Sequence, residues 1–353
     1  MRVLLATGAP TLPQMIGGSQ RTGDTLLRNL AGRGHTVALT AGLIGEGWLG
    51  FRGRVLMKLT RSRAVRDTVL GYPTYRSWFV WESAAEVARK FRPDVVVVQA
   101  HSTGKVGYAF RDAGQQVLFS FQDNEFDKLG RDLADFGSIR AVANSRFTAD
   151  AYRQAYGAEC RVIHPLIDGS RYQTEGEGKY VTFINPDPVK GLDKAIQIAG
   201  ALPDTPFRFQ ETWPMPRDER AALAQRLAGL PNVTLAPRVD DMREVYAQTK
   251  VLLVPSQWEE GYGRIASEAQ FSGIPVIGSD RGGLPEAIGT GGVVLPADAP
   301  AERWAQSLRD ILNDAKRHSK LKESAKAYAR RPELQLDLQI DAWEAAIAEA
   351  AQG

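Results

Sequence analysis

The sequence predicts an α/β protein of two domains, each with a parallel β-sheet covered by helices. Short β-branched strands alternate with segments of helical periodicity along most of the chain. The alternation is interrupted once, in the polar segment 168–178, and then restarts. With 353 residues, 43% of them hydrophobic, the chain can form two cores of ordinary size. These observations indicate two doubly wound, Rossmann-like domains.

The first predicted domain covers residues 1–168. Its candidate strands are residues 3–6, 36–39, 95–98, 117–120 and 141–143. Continuous apolar runs of this kind are typical of strands buried on both faces in a parallel sheet. The first run is too short for a signal peptide, so we interpret it as the first core strand.

The second predicted domain covers residues 169–331. Its candidate strands are residues 180–184, 207–209, 233–235, 251–254, 276–277 and 293–295. From residue 300 the pattern becomes purely helical, with Trp304, Leu308 and Leu312 spaced along one face. The last helix, within residues 332–353, is a candidate to cross back and pack on the first domain.

Composition excludes several kinds of protein. A net charge of +3 is too small for bulk nucleic-acid binding, so we expect no nucleic-acid partner. The one cysteine, Cys160, excludes an intramolecular disulfide and any multi-cysteine metal site. No apolar stretch approaches the roughly 18 residues that span a bilayer. We therefore predict a cytoplasmic location, with peripheral attachment to the inner face of the membrane as a further candidate.

The most informative motif follows the strand at 251–254. Glu260, Gly261 and Gly263 form a loop, a helix is expected to begin near Tyr262, and Glu268 lies eight residues after Glu260. A helix start with glycines beside it suits an anionic phosphate. Two carboxylates at this spacing can reach different parts of one extended ligand, and carboxylates accept hydrogen bonds from sugar hydroxyls.

This motif resembles the glutamate pair of the retaining glycosyltransferases of family four, part of glycosyl transferases group 1. The resemblance rests on Glu260, seven intervening residues, Glu268, Ala269 and the run 273–277, and it extends from residue 1 to about 296. It implies the GT-B fold, in which two Rossmann-like domains enclose a cleft and C-terminal helices follow. It also implies that Glu260 contacts the donor sugar and that Glu268 binds the ribose of the nucleotide.

Other segments resemble the same family. Lys190, after the strand at 180–184, corresponds to the lysine that binds the donor diphosphate, where a point charge stabilises the leaving group. The family's glycine-arginine pair is replaced here by Ile184-Asn185, and Arg264 or Arg146 are candidates for the missing cation.

The first domain supplies fewer candidates. Gly17-Gly18 resembles the family's N-terminal glycine loop, and His101, after a buried strand, resembles its strand-end histidine facing the donor sugar. No G-x-G-x-x-G follows the first strand, so a NAD site is not expected. The predicted catalytic residues are Glu260, His101 and Lys190. The predicted donor-binding residues are Gly18, Asn185, Lys190, Gly261, Tyr262, Gly263, Arg264, Ile265 and Glu268.

One segment, residues 43–81, breaks the α/β alternation because it combines clustered cations with aromatic residues. One interpretation is a solvated helix face followed by a core hairpin or loop. The other is a patch that binds an acceptor or an anionic membrane surface. On the second interpretation the acceptor candidates are Arg52, Arg54, Lys58 and Trp78.

The resemblance thus predicts a hexosyltransferase-like enzyme that transfers a sugar from a nucleotide-diphosphate sugar to an acceptor hydroxyl with retention. We expect a UDP- or GDP-sugar donor, no separate cofactor and no metal, since no two aspartates form a D-x-D motif. The acceptor is expected to be a saccharide, a lipid-linked sugar or a small molecule, as in polysaccharide or glycoconjugate biosynthesis. Two alternatives stay open: a sugar-nucleotide epimerase or phosphorylase of the same fold, and a catalytically silent binding subunit.

Overall fold

The computed structural model describes residues 1–176 and 178–353 and contains two compact units. Unit 1 consists of Met1–Leu166 and Gln335–Gly353, and unit 2 consists of Ile167–Leu334. Residue 177, in the polar segment 168–178, lies outside the described residues.

Unit 1 is built on an eight-stranded sheet. Its strands are β1 (Arg2–Pro10), β2 (Thr36–Gly42), β3 (Ala64–Asp67), β4 (Thr74–Ser77), β5 (Val95–Gln99), β6 (Val117–Phe121), β7 (Ala141–Ala143) and β8 (Cys160–Val162). The strand order is β3-β4-β2-β1-β5-β6-β7-β8, and β3 pairs antiparallel to β4 while the other described pairs are parallel. The chain therefore changes direction across the sheet between β1 and β5, the place where such sheets bind ligands.

Five helices of unit 1 lie between its strands. They are α1 (Gly18–Gly32), α2 (Gly47–Thr60), α3 (Val80–Phe91), α4 (Thr103–Asp112) and α5 (Arg146–Tyr156). Most bury an apolar face; in α1 it consists of Leu26, Leu27 and Leu30. The hydroxyl of Ser145 caps α5 by accepting a hydrogen bond from the Thr148 backbone N–H at 3.0 Å. In α2, by contrast, the buried residues are two glycines.

Unit 2 is built on a six-stranded, fully parallel sheet. Its strands are β9 (Tyr180–Ile184), β10 (Phe207–Gln210), β11 (Val233–Ala236), β12 (Thr249–Val254), β13 (Val276–Ser279) and β14 (Gly292–Leu295). The order β11-β10-β9-β12-β13-β14 is the 3-2-1-4-5-6 order of dinucleotide-binding sheets. Its change of direction lies between β9 and β12.

Seven helices cover this sheet in the described part of unit 2. They are α6 (Leu192–Gly200), α7 (Arg217–Leu227), α8 (Arg243–Tyr246), α9 (Arg264–Gln270), α10 (Leu284–Ile288), α11 (Ala301–Leu312) and α12 (Ala315–Ala329). Trp304 and Leu308 of α11 are fully buried, as their spacing predicted. Helix α9 begins two residues later than expected, because Gly263 before it has a left-handed φ of 96°.

The last helix, α13 (Leu336–Ala351), belongs to unit 1. Its residues Ile340, Trp343 and Ile347 are buried in the same core cluster as apolar residues of β1, β2 and α1. Arg33, after α1, donates from Nη1 to Glu344 Oε2 at 2.6 Å. Unit 1 is therefore formed by two segments of chain. Among the described residues, no helix is both long and apolar enough to cross a membrane.

Candidate functional site

The carboxyl ends of β9 and β12 carry an ion pair. Lys190 follows β9, Glu260 follows β12, and Lys190 Nζ lies 2.7 Å from Glu260 Oε1. The two side chains are 19% and 15% exposed, so the pair is largely shielded but reachable. A Cβ on Gly191 would lie 2.0 Å from the Pro255 carbonyl oxygen, so only glycine lets the two loops approach this closely. The sheet topology and this contact together place a cation beside a carboxylate at the change of strand direction.

Hydrogen bonds from its own loop and from the loop after β13 fix Glu260. The hydroxyl of Ser256 donates to Glu260 Oε1 at 2.9 Å. The backbone N–H of Gly283, in the loop after β13, donates to the Glu260 carbonyl oxygen at 2.7 Å. One carboxylate oxygen thus accepts from both Lys190 and Ser256, and this holds the side chain in a single orientation.

Glu268 lies on α9 and is buried, with 7% exposure. The hydroxyl of Tyr246 donates to Glu268 Oε2 at 3.1 Å, and Arg264 Nε lies 3.4 Å from Glu268 Oε1. Burial, together with the neighbouring Glu268 charge, raises the pKa of Tyr246 well above its usual value. Tyr246 therefore remains a protonated donor at neutral pH.

Asn185 occupies the position where the family resemblance predicts an arginine. Its side chain forms hydrogen bonds with the backbone of a neighbouring loop. Its φ is 57°, in the left-handed region. Its side-chain oxygen accepts hydrogen bonds from the backbone N–H groups of Thr212 and Trp213 at 3.1 and 3.0 Å. Any ligand contact of this side chain would have to come from its amide nitrogen.

The side chain of Tyr262 lies in the core of unit 2 instead of at the surface. It is 2% exposed, and its hydroxyl lies 2.9 Å from Ser267 Oγ and accepts from Arg331 Nη2 at 2.8 Å. Ile265 is partly buried against the same cluster. A donor contact at Tyr262 would therefore have to come from its main chain, beside Gly261 and Gly263.

In unit 1, His101 follows β5, and Gly18 begins α1 after the loop that follows β1. Both residues therefore lie where the strand order of the sheet changes direction. The backbone N–H of Gly8 donates to the His101 carbonyl oxygen at 3.1 Å, which fixes the loop while the residue itself stays exposed. His101 shares a small pocket with Asp123, Glu125 and Lys128. Burial raises the pKa of Asp123, and the hydrogen bond from the Glu125 N–H opposes this effect.

The acceptor candidates also lie in unit 1. Arg52, Arg54 and Lys58 are on α2, and Trp78, which follows β4, is 45% exposed. Within unit 2, then, the structure brings Lys190 together with Glu260 and Arg264 together with Glu268. Among the described residues, no group of three or more His, Cys, Asp or Glu side chains is placed to hold a metal ion.

Two sequence models of known families match this chain. A model of "Glycosyltransferase Family 4" matches residues 16–171, and a model of "Glycosyl transferases group 1" matches residues 184–314. The chain belongs to the group 1 glycosyltransferases of family 4. The family predicted from the Glu260 and Glu268 motif is thereby confirmed.

Curated relatives of this family 4 chain carry one recurrent name. The D-inositol 3-phosphate glycosyltransferase of Streptomyces bingchenggensis is 28% identical over 226 residues, 54% of this chain and 49% of that protein. The protein of the same name from Corynebacterium kroppenstedtii is 38% identical over 100 residues, 28% of this chain and 22% of that protein. The chain thus matches half or less of the length of these curated relatives.

Solved glycosyltransferase structures resemble the fold over the full chain. The structure of Anabaena Alr3699/HepE in complex with UDP superposes with a TM-score of 0.77 at 17% identity, covering 99% of this chain and 100% of that one. This similarity, with the two parallel sheets, confirms the predicted GT-B fold class.

Several residues around the candidate site of this family 4 protein were not predicted from its sequence. Ser256 and Tyr246 orient the two glutamates, and Asp123 lies beside His101. Trp213 is 44% exposed, and Lys190 Nζ lies 5.4 Å from its ring centroid. A tryptophan three residues after the end of β10 is a local signal that could have identified it, since strand ends of such sheets carry ligand contacts.

Proposed function

We propose that this protein transfers a sugar from a nucleotide-diphosphate sugar to an acceptor hydroxyl with retention of the anomeric configuration. The observation that carries the proposal is the Lys190 and Glu260 pair at the change of strand direction of unit 2, with Glu268 on the helix that follows. Support also comes from the HepE structure, which binds UDP, and from the names of the curated relatives.

In the proposed reaction, Lys190 stabilises the charge that develops on the departing nucleotide diphosphate. A preorganised cation, in a site from which water is partly excluded, stabilises this developing negative charge strongly. Glu260 binds hydroxyls of the donor sugar, which acquires oxocarbenium character as the bond to phosphate breaks. Glu268, held by Tyr246, binds the ribose. The acceptor proton passes to the leaving phosphate, so no separate general base is required. Lys190 stabilises the diphosphate charge, which a metal ion does in other transferases.

The finer assignments extend the same proposal. The donor is a UDP- or GDP-sugar, the acceptor is a saccharide, a lipid-linked sugar or a small molecule, and the enzyme works in the cytoplasm with peripheral contact to the anionic inner membrane face. His101 contacts the sugar, and Arg52, Arg54 and Lys58 contribute to the acceptor side.

The decisive experiment is a calorimetric and thermal-shift screen of UDP, GDP, ADP, dTDP and their common sugar conjugates. A ligand that binds only the native state raises the melting temperature, so one nucleotide class should stabilise the protein selectively. Glu268→Gln should abolish most of that shift. Glu302→Gln, on the exposed start of α11, is the matched control and should leave it unchanged.

Turnover then separates the transferase from the alternatives. Release of nucleoside diphosphate that depends on an added acceptor supports transfer. Conversion of the nucleotide sugar without an acceptor would indicate an epimerase or phosphorylase. Failure of every nucleotide to bind would indicate a silent binding subunit.

A further inference from the structure

Helix α2 (Gly47–Thr60) differs from the other helices of unit 1 because its large apolar side chains face solvent. Its buried residues are Gly50 and Gly53, whereas Trp48 and Leu59 are 73% and 75% exposed. Phe51 and Val55 are also exposed, at 52% and 40%. Large apolar side chains normally face the core, so an exposed row of this kind marks a surface that binds something.

The four exposed apolar residues form one continuous face. With about 100° between successive helical residues, Trp48, Phe51, Val55 and Leu59 project within an arc of about 80°. Gly50 and Gly53 project from the opposite side. We call these four residues the α2 stripe. The close packing at the glycines, where a Cβ on Gly53 would lie 2.7 Å from Leu43 Cδ2, fixes the stripe away from the core.

Cations flank the α2 stripe on both sides. On the same projection, Arg52 lies next to Leu59 and Lys58 lies next to Phe51, while Arg54 and Arg61 extend the basic border. Among the described residues, the ion pairs of unit 1 include none of these four cations. Helix α2 itself contains no acidic residue. The unpaired positive border therefore attracts an anionic partner.

We propose that the α2 stripe docks unit 1 on an anionic lipid bilayer, with the apolar face in the acyl boundary and the cations at the phosphates. An apolar face bordered by arginine and lysine, with tryptophan at one end, is the composition of interfacial helices. Trp78 adds a half-exposed ring close to the start of the helix, since Gly45 lies against it. A second copy of the chain fits less well, because a symmetric contact would set the cations of one border against the same cations of the other.

This inference assigns the peripheral contact in the proposed function to one helix, and its test needs no donor. The purified chain is sedimented with vesicles of phosphatidylcholine alone, or of phosphatidylcholine and phosphatidylglycerol in equal parts. We expect binding only to the anionic vesicles. The double variant Trp48→Ser/Leu59→Ser should bind at least about tenfold more weakly, because both side chains lose their burial in lipid.

Matched variants separate the contributions. Val69→Ser/Leu338→Ser removes two exposed apolar side chains of unit 1 elsewhere, 57% and 47% exposed, and should leave vesicle binding unchanged. Arg52→Gln/Lys58→Gln should weaken binding by about fivefold for each charge at low salt, and added salt should reduce this difference.

Three results would overturn the inference. The first is that the wild type does not bind anionic vesicles. The second is that the stripe variant, Trp48→Ser/Leu59→Ser, binds them as strongly as the wild type does. The third is that the wild type forms a concentration-dependent dimer that the stripe variant does not form. Nucleotide binding by the stripe variant, measured by the same thermal shift as above, verifies folding and keeps a failure of the docking surface distinct from a failure of the donor site.

Discussion

The ion pair between Lys190 and Glu260 can be tested in the ligand-free protein. At 2.7 Å and an effective dielectric constant of about 20, the gross attraction is about 6 kcal/mol. Desolvation of two side chains that are 19% and 15% exposed offsets much of it. We therefore expect Lys190→Met and Glu260→Gln each to lower the free energy of unfolding by about 1–3 kcal/mol, with a coupling of about 1–2 kcal/mol in the double variant.

Urea unfolding of the four proteins of this double-mutant cycle gives the coupling. The matched cycle uses Lys326 and Glu323 on α12, a pair 3.3 Å apart with side chains 36% and 70% exposed. This control pair should couple by less than about 0.5 kcal/mol, because exposed pairs contribute little. In a transferase assay, Lys190→Met should also reduce kcat by about 10²–10³-fold, as expected for loss of a preorganised charge. Equal coupling in the two cycles, or activity of Lys190→Met within about threefold of wild type, would refute the reasoning.

Three further predictions follow from the site and its supports. Glu268→Gln should weaken nucleotide binding about 10–100-fold in calorimetry, since hydrogen bonds to a charged group contribute about 1.5–3 kcal/mol; wild-type affinity would exclude a ribose contact. Asn185→Ala should lower the free energy of unfolding in urea by about 2 kcal/mol, because it removes the acceptor for two backbone N–H groups and places alanine at a φ of 57°; an unchanged midpoint would contradict this. The raised pKa of Asp123 favours its protonated form in the folded state, so wild-type stability falls as pH rises through that pKa. Asp123→Asn should therefore melt above wild type at pH 7 and equal to it below about pH 4, and identical melting at both pH values would show that Asp123 is not held in a desolvated site.

The sequence was sufficient for the two-sheet architecture, apart from strands β3, β4 and β8, because its evidence is local. Strand and helix periodicities extend over a few residues, and the motif from Glu260 to Glu268 lies in one loop and one helix. The rule that ligands bind where parallel strands change direction then places Lys190 and Glu260 near each other, since both follow central strands. These features need no knowledge of distant contacts.

The contacts that orient the site depend on residues far apart in the chain. Tyr246 reaches Glu268 from a different helix, and Gly283 holds the Glu260 backbone from a loop after the next strand. Asn185 stands at a position where the resemblance predicted an arginine, and only its hydrogen bonds show that it supports a neighbouring loop. No spacing in the sequence encodes these partners.

Helix α2 shows how periodicity can predict the wrong orientation. Residues 48, 51, 55 and 59 repeat at the spacing of a buried face, and the usual interpretation would place them in the core. The glycines at 50 and 53 let the backbone of the opposite face approach its neighbours, and that approach turns the apolar face outward. The orientation of α2 is therefore determined by packing at Gly50 and Gly53, which have no side chains.

The two-segment construction of unit 1 affects how the protein can be made. The ribosome releases residues 1–166 first, but α13, which buries Trp343 beside the first strands, follows only after all of unit 2. At about 5–20 residues per second, the interval is roughly 10–30 s. During that time the apolar face of the nascent sheet that α13 later covers stays exposed. Unit 2 can therefore complete its fold before unit 1 does. We expect chaperones to bind residues 1–166 during this interval.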